Sequence, residues 1–346
     1  MTYYIVPLLV FYFGVVLCIC YGGTSRLVLT ICAIPIIAVA CLRGHSGTDT
    51  AAYYTAFMGL NSGLDYGGEP LFKWFAEALW FVNPDPRFVV NLISLTTALL
   101  TLWGISRSRY GAWFGGLVIV PAMFYELTMN LLRFGLASSI FLLATQVPFE
   151  KKPVRYLVFA IVGTCFHFSS ALLFILFVAA TRRGQTLLIG IGALVIVGAS
   201  FLMPAYMQDK VDLYTGMTAP NATSGLLFII LQLMLLGVMI AFRRNFEIPT
   251  ASLWLCAILA LALYAMTQFT YAGIRFQLIL VYLMAVILFR RYKPENRRVS
   301  GHLTLCLLLI GLAGFGGRLH NMSDEEGRGD SPFLPYRTIP SLQEYR

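Results

Sequence analysis

Two apolar runs open the chain, YIVPLLVFYFGVVLCICY at residues 4–21 and LVLTICAIPIIAVACL at residues 27–42. An α-helix needs about 20 apolar residues to cross a bilayer, and the first run leads into the second instead of ending at a signal cleavage site. Comparable runs predict further spans at 87–103, 111–126, 130–147, 185–204, 225–242, 250–268, 274–289 and 301–317. The pattern predicts an all-α, polytopic transmembrane helical bundle.

The composition agrees with a membrane protein. Of 346 residues, 58% are hydrophobic and 12% are charged, and the mean hydropathy is +0.76. Soluble domains carry roughly 45–50% apolar and about 25% charged residues, so a soluble enzyme is excluded. The net charge of +9 is attributed to cytoplasmic loops, and no nucleic-acid partner is predicted.

Two segments do not fit a simple span. Residues 70–82 are short and contain two charges, so they are predicted to lie at the membrane interface. Residues 156–180 are interrupted near the middle by polar residues, and they form either one long span or a re-entrant hairpin. With a hairpin and the N-terminus outside, 15 of the 25 Lys and Arg residues are cytoplasmic, against 12 with a single span. The positive-inside rule therefore favours the hairpin.

This topology predicts one transmembrane domain over residues 1–317. Its outer segments are residues 43–86 and 205–224, and residues 318–346 form a periplasmic tail. The predicted structure is about ten full spans plus the hairpin.

Several catalytic motifs are missing from the sequence. It contains no GxxxxGK[ST], no HExxH, no GxSxG and no DxD pair, and its histidines and cysteines lack metal-ligand spacing. No metal and no cofactor are predicted. An enzyme of this kind would need a substrate that arrives already activated.

Three arginines lie at the outer ends of predicted spans, where the positive-inside rule does not expect them. Arg43 follows the second span, Arg133 lies just inside the outer end of the fifth, and Arg275 begins the ninth. Charges at such depths usually face a polar cavity, although each side chain alternatively snorkels to the outer headgroups. Three guanidinium groups in one outer cavity would suit a diphosphate, which they bind through paired hydrogen bonds.

His167, Asp49 and Glu69 are the candidate catalytic residues. His167 lies between the two halves of the interrupted segment and is interpreted either as a general base or as a packing residue. Asp49 is either a helix N-cap or a partner for Arg43, and Glu69 before Pro70 either favours a helix N-terminus or takes a proton.

A smaller set of candidate residues accompanies these. Tyr53 shares a helix face with Asp49. Glu126 would form one stripe with Asn130 and Arg133 if a helix begins by residue 126. Tyr336, in the tail, completes this set.

Four motifs together resemble a known family. They are CLRGHSGTDTAAYYTAF (41–57), GGEPLFKWFAEAL (67–79), MNLLRFGLASSIFLLA (129–144) and CFHFSSALLF (165–174). In this order they resemble the EpsG/Wzy-type polysaccharide polymerases of bacterial surface glycans, and the similarity extends more weakly through GIRFQL (273–278) and PYRTIP (335–340). One departure is Phe134, where the family often has glutamine after the arginine.

The resemblance implies a GT-C-like membrane glycosyltransferase at the periplasmic face of the bacterial inner membrane. Such a polymerase transfers a growing glycan from undecaprenyl pyrophosphate to another lipid-linked repeat unit. In that reaction Arg43, Arg133 and Arg275 would bind the pyrophosphate, and His167, or else Asp49 or Glu69, would take the acceptor proton. Tyr53, Glu126 and Tyr336 would contact the glycan. Expected partners are undecaprenyl-pyrophosphate-linked oligosaccharides, membrane lipids, a chain-length regulator and a flippase.

Three alternatives remain open from the sequence. An O-antigen ligase would share the donor, a transporter of the same lipid would need repeated or paired broken helices, and a membrane acyltransferase would use His167 with a cytoplasmic donor.

Overall fold

The computed structural model describes residues 1–23, 25–44, 46–47, 49–59, 69–149, 151–181, 223–293 and 299–323, together with Phe333, Tyr336 and Thr338. Within these residues all regular structure is helical, which confirms the all-α prediction. The helices are α1 (Thr2–Cys20), α2 (Arg26–Cys41), α3 (Thr50–Met58), α4 (Pro70–Val82), α5 (Pro86–Ser106), α6 (Ala112–Asn130), α7 (Leu132–Ala144), α8 (Pro153–Phe166), α9 (Ala171–Thr181), α10 (Leu226–Ala241), α11 (Arg243–Phe246), α12 (Thr250–Thr267), α13 (Ala272–Arg291) and α14 (Gly301–Ser323).

Six of the described helices are long and apolar enough to cross a membrane, and they are α1, α5, α6, α12, α13 and α14. Five shorter apolar helices of 10–17 residues accompany them. The predicted span at 185–204 and most of the 205–224 loop lie outside the described residues. The described part of the chain is therefore that of a multi-pass membrane protein, and the total of about ten spans stays a prediction.

The described helices form two compact units. The first contains Met1–Ser170 and Gly311–Arg346, and the second contains Ala171–Ile310. The single transmembrane domain with a separate tail stays a prediction of the sequence.

The segment 70–82 is a helix, α4, with two different faces. Phe72 and Ala76 are buried against α3 and α5, whereas Trp74 and Phe81 are 62% and 91% exposed. This distribution is typical of a helix that packs one face against the apolar side chains of its neighbours and leaves the other face uncovered.

A break separates α6 from α7. The last turn of α6, Glu126–Asn130, is π-helical, and Leu131 (φ −94°, ψ 60°) is not helical. The chain resumes close to the turn it has left, because a Cβ on Gly135 would lie 1.8 Å from the Leu127 carbonyl oxygen. The prediction of one stripe is therefore wrong for Arg133, which lies in the first turn of a new helix, α7.

The predicted interruption of the 156–180 segment is confirmed. Helix α8 ends at Phe166, His167 is extended (φ −160°, ψ 114°), and the 3-10 turn Phe168–Ser170 precedes α9. Since α8 belongs to the first unit and α9 to the second, the hairpin itself stays a prediction.

The tail contacts the first two helices of the first unit. The Tyr4 hydroxyl donates to the Phe333 carbonyl at 3.0 Å, and the Tyr336 hydroxyl donates to the Val39 carbonyl at 2.8 Å. The Tyr336 ring also stacks on Tyr3 with centroids 5.2 Å apart. The start of α1 and the end of α2 are thereby joined to the tail.

The second unit contains α9 to α13. The Ser252 hydroxyl, at the start of α12, donates to the Ala180 carbonyl near the end of α9 at 2.9 Å. Gln232 of α10 donates to the Gln277 carbonyl of α13, two residues after Arg275, at 3.0 Å.

Candidate active site

Three side chains from distant parts of the sequence meet in the first unit, with Glu69 at the centre. Glu69 Oε2 accepts a hydrogen bond from Arg133 Nη1 at 2.6 Å, and Oε1 accepts one from His167 Nδ1 at 3.0 Å. The Glu69 side chain is 1% exposed, whereas those of Arg133 and His167 are 25% and 22% exposed. With Ser169, which contacts His167, these residues are called the Glu69 cluster.

Local sequence explains the position of the carboxylate. A residue before proline is disfavoured in the α region, and Glu69 precedes Pro70, so it is extended (φ −104°, ψ 108°). Proline is also well suited to the first position of a helix, and α4 begins there. The pair Glu-Pro thus begins α4 at a fixed residue and keeps Glu69 outside the helix.

Glu69 stays ionised in this environment. Burial alone would raise the pKa of its carboxyl, but the hydrogen bond from His167 and the charge of Arg133 outweigh burial and lower the pKa to about 2. A carboxylate with so low a pKa is a poor proton acceptor near neutral pH. Its chemical role is that of a fixed negative charge.

The orientation of His167 follows from its partner. A carboxylate only accepts, so Nδ1 carries a hydrogen, and in the neutral imidazole Nε2 is left as the acceptor. Ser169 Oγ lies 2.7 Å from Nε2 and donates to it in that state. Phe134 packs edge-on against the ring with centroids 5.9 Å apart.

Arg133 is held against an aromatic wall. Its guanidinium lies 5.9 Å from the centre of the Phe72 ring and hydrogen-bonds with Tyr53. Burial raises the pKa of Tyr53, and the Arg133 charge opposes this rise. Tyr53 and Phe72 belong to a buried cluster of α3, α4 and α5 that also contains Leu132, next to Arg133.

Arg43 is placed differently from the prediction. Its side chain is fully buried, and Nη1 donates to the Ala40 carbonyl at 2.6 Å and to Ser94 Oγ at 3.0 Å. The same nitrogen and Nη2 reach the carbonyls of Thr128 and Met129 at 2.9 and 3.2 Å. In this arrangement Arg43 presents no exposed edge to a pyrophosphate, because it satisfies main-chain carbonyls at the end of α6.

Asp49 lies at the N-cap of α3 without a side-chain capping bond, and its charge acts on Tyr53 one turn later. Its role as a base stays a prediction. Arg275 lies in the first turn of α13, in the second unit, and its contact with a pyrophosphate also stays a prediction.

The remaining predicted glycan contacts form a second polar group. Glu126 forms an ion pair with Arg318 and accepts from Asn130 Nδ2 at 3.2 Å. The Arg318 guanidinium lies 5.2 Å from the centre of the Phe333 ring, in the same tail segment as Tyr336. Among the described residues, no group of three or more His, Cys, Asp or Glu side chains is placed to hold a metal ion.

The model of the EpsG family matches residues 26–338 of this chain. The chain belongs to the EpsG family. The matched stretch runs from the start of α2 into the tail and contains every candidate residue named above. Comparison with the curated proteins and with the solved structures gives no match. Family membership connects the chain to polymerases of exopolysaccharide and O-antigen type.

Two site residues were not predicted from the sequence. Ser169 follows His167 by two residues, and their joint position in the motif CFHFSSALLF (165–174) was the available signal. Arg318, the partner of Glu126, is a lone arginine near the end of an apolar helix, which is the same kind of signal that drew attention to Arg133.

Proposed function

We propose that this EpsG-family protein polymerises undecaprenyl-pyrophosphate-linked oligosaccharide repeat units, as a GT-C-like glycosyltransferase at the periplasmic face of the bacterial inner membrane. The observation that carries the proposal is the position of Glu69, which holds a base, His167, and a guanidinium, Arg133, on its two oxygens. Glycosyl transfer from a pyrophosphate needs one group of each kind.

In the proposed reaction His167 removes the proton of the acceptor hydroxyl. Glu69 fixes Nδ1 of the ring, so Nε2 is the basic atom, and the negative charge of Glu69 stabilises the imidazolium that forms. Among the predicted bases this arrangement favours His167, since Glu69 has a pKa of about 2.

The leaving group is assigned to Arg133. As the bond between the anomeric carbon and the pyrophosphate oxygen breaks, negative charge grows on the pyrophosphate, and a guanidinium placed there lowers the barrier. Arg133 is one-quarter exposed, so part of its guanidinium is accessible to a ligand. Arg275 lies in the second unit, and its contact with a pyrophosphate stays a prediction of the sequence. Arg43 is reassigned to supporting the end of α6.

The glycan contacts remain part of the proposal. Tyr53 is buried against Arg133 and would hold that guanidinium in place beside the first sugar, and Glu126 and Tyr336 would bind sugars farther along the chain. A flippase would deliver the lipid-linked units, and a chain-length regulator would determine when extension stops.

The experiment is a deletion strain whose surface polysaccharide is separated by size. Loss of polymerisation leaves glycans with a single repeat unit, and the wild-type gene restores long chains. Loss of all capped glycan would instead indicate a ligase, and lipid-linked units trapped on the cytoplasmic side would indicate a transporter.

A second measurement tests the named residues. Purified protein in lipid vesicles is supplied with undecaprenyl-pyrophosphate-linked repeat units, and chain extension is followed. His167→Ala should slow extension about hundredfold or more, a typical contribution of a proton-transferring residue. His320→Ala, a change at the end of α14, is the control and should extend chains normally.

A further inference from the structure

Ser169 occupies the side of His167 that the proposed reaction uses. Its hydroxyl lies 2.7 Å from Nε2, the ring nitrogen opposite the Glu69 contact. The two residues share the turn after α8, which is extended at His167 and 3-10 helical from Phe168 to Ser170. The line Ser169–His167–Glu69 is therefore an alcohol, an imidazole and a carboxylate in hydrogen-bonded series, an arrangement that activates a hydroxyl.

Three neighbours of the His167 ring lie on this turn or pack against it. Glu69 holds Nδ1, the Phe134 ring packs edge-on with centroids 5.9 Å apart, and Ser169 Oγ lies 2.7 Å from Nε2. Ser169 is partly exposed, so an acceptor hydroxyl has access to a residue that already contacts Nε2. A serine oxygen accepts as well as donates, so it can hold the acceptor hydroxyl while donating to Nε2.

We propose that Ser169 is a catalytic residue that relays the proton of the acceptor hydroxyl to His167. The acceptor oxygen forms its bond to the anomeric carbon and gives its proton to Ser169 Oγ, while the Ser169 proton moves to Nε2. The pyrophosphate leaves with the electron pair of the broken bond. Ser169 ends the step as it began, and His167 has gained one proton.

This inference rests on the proposed function for the source of the proton. It places the acceptor hydroxyl against Ser169 and the pyrophosphate against Arg133, so that Glu69 and His167 lie between the two halves of the substrate site.

The test compares Ser169→Ala, Ser169→Thr and Ser170→Ala in vesicles supplied with lipid-linked repeat units. Ser170 is the matched control, because it is the adjacent hydroxyl and is fully buried. Ser169→Ala should slow the maximal extension rate at least about tenfold with little change in the KM for the donor. Ser169→Thr keeps the hydroxyl and should restore most of the rate, and Ser170→Ala should resemble the wild type.

A readout of the Ser169–His167 contact does not depend on extension. Modification of His167 by diethyl pyrocarbonate, followed by mass spectrometry, should be faster in Ser169→Ala than in the wild type or Ser170→Ala, because Nε2 loses its partner. An equal rate in all three proteins would show that the hydrogen bond is not formed.

The outcomes separate the two proposals. An active wild type with an equally active or faster Ser169→Ala overturns the relay alone and places the acceptor directly on Nε2. A Ser169→Thr protein as slow as Ser169→Ala, with a normal unfolding temperature, overturns the relay in favour of a packing role. A folded wild type that extends no chains overturns the proposed function itself.

Discussion

Arg43 shows how one buried side chain can decide a local structure. The carbonyls of Thr128 and Met129 stand where α6 ends, and both accept from Arg43. Buried main-chain carbonyls without a partner are costly, and a guanidinium satisfies several at once because its donors point in different directions. Arg43 therefore holds the turn from which Leu131 and Arg133 follow.

The first prediction concerns Arg43→Lys. An ammonium cannot reach all four acceptors, and each lost hydrogen bond to a charged group costs about 1.5–3 kcal/mol. We expect the free energy of unfolding to fall by about 2–5 kcal/mol, with donor binding by the folded fraction unchanged. A pyrophosphate role for Arg43 would give the opposite pattern, in which the protein keeps its stability and loses donor affinity.

Glu69→Gln is the second prediction. The amide is nearly isosteric but carries no charge, so it neither stabilises an imidazolium nor specifies the His167 tautomer. Extension should slow about hundredfold or more while the protein remains folded. Glu77→Gln, a change at an exposed position of α4, should leave the rate unaltered. Comparable losses in both variants would contradict the role of Glu69 as the partner of His167.

The low pKa of Glu69 gives a third prediction. A carboxylate whose folded pKa lies below its ordinary value of about 4.5 stabilises the folded state above that value, and this stabilisation is lost as the pH falls towards 2. The difference in unfolding free energy between wild type and Glu69→Gln should shrink between about pH 4.5 and pH 2, where the Glu69 carboxylate is protonated. Denaturant titrations at each pH measure it, and a decline that begins near pH 6 would be inconsistent with this pKa.

At the scale of elements, the position of the cluster depends on where helices begin. Pro70 and Pro153 both occupy the first turn of their helices. Pro70 lies beside Glu69, whereas Pro153 is at the end of α8 that is remote from His167. The two prolines have the same local function, and only one of them controls a residue of the cluster.

The fourth prediction compares Pro70→Ala with Pro153→Ala. Without the ring at residue 70, Glu69 is free to adopt α-region angles, and α4 can extend backwards to include it. We expect Pro70→Ala to slow extension severalfold, and Pro153→Ala to change it little. Circular dichroism monitors folding of both, and equal activities would mean that the Glu69 backbone is fixed by packing rather than by proline.

At the scale of the whole molecule, the Glu69 cluster lies where several helices of the first unit begin or end. The end of α2, the first half of α5 and the end of α6 meet at Arg43, and the end of α8 meets the start of α7 through Glu69. Lys152, just before α8, lies at the other end of that helix.

The fifth prediction tests which side of the membrane the Glu69 cluster faces. In a cysteine-free background, Asn83→Cys, between α4 and α5, should react with an impermeant thiol reagent added outside. Lys152→Cys should react only after the membrane is opened. Both residues are exposed, so burial does not explain a difference, and the reverse pattern would place the cluster on the cytoplasmic side.

The sequence predicted the helices well because a membrane span is a local property. An apolar run of sufficient length predicts a helix whatever the rest of the chain contains. The interruption at His167 and the helix at 70–82 were also visible locally.

The pairing inside the site was not predictable in the same way. His167 and Glu69 are 98 residues apart, and nothing in either motif specifies the other. The sequence predicts a ligand for Arg43 because the positive-inside rule considers only charged side chains. It does not consider main-chain carbonyls, which every residue has and which Arg43 binds in the structure. The π-helical end of α6 and the break at Leu131, which supply those carbonyls, have no strong sequence signal.

The contact between the tail and α1 has a consequence for biogenesis. Tyr4 and Phe333, which share a hydrogen bond, are separated by 329 positions, so Tyr4 is translated long before its partner. The Tyr4 hydroxyl therefore lacks this acceptor until the ribosome has made residue 333. Nascent chains stalled before residue 333 would therefore have a first helix without its contact to the tail, a state that membrane quality-control proteases can recognise.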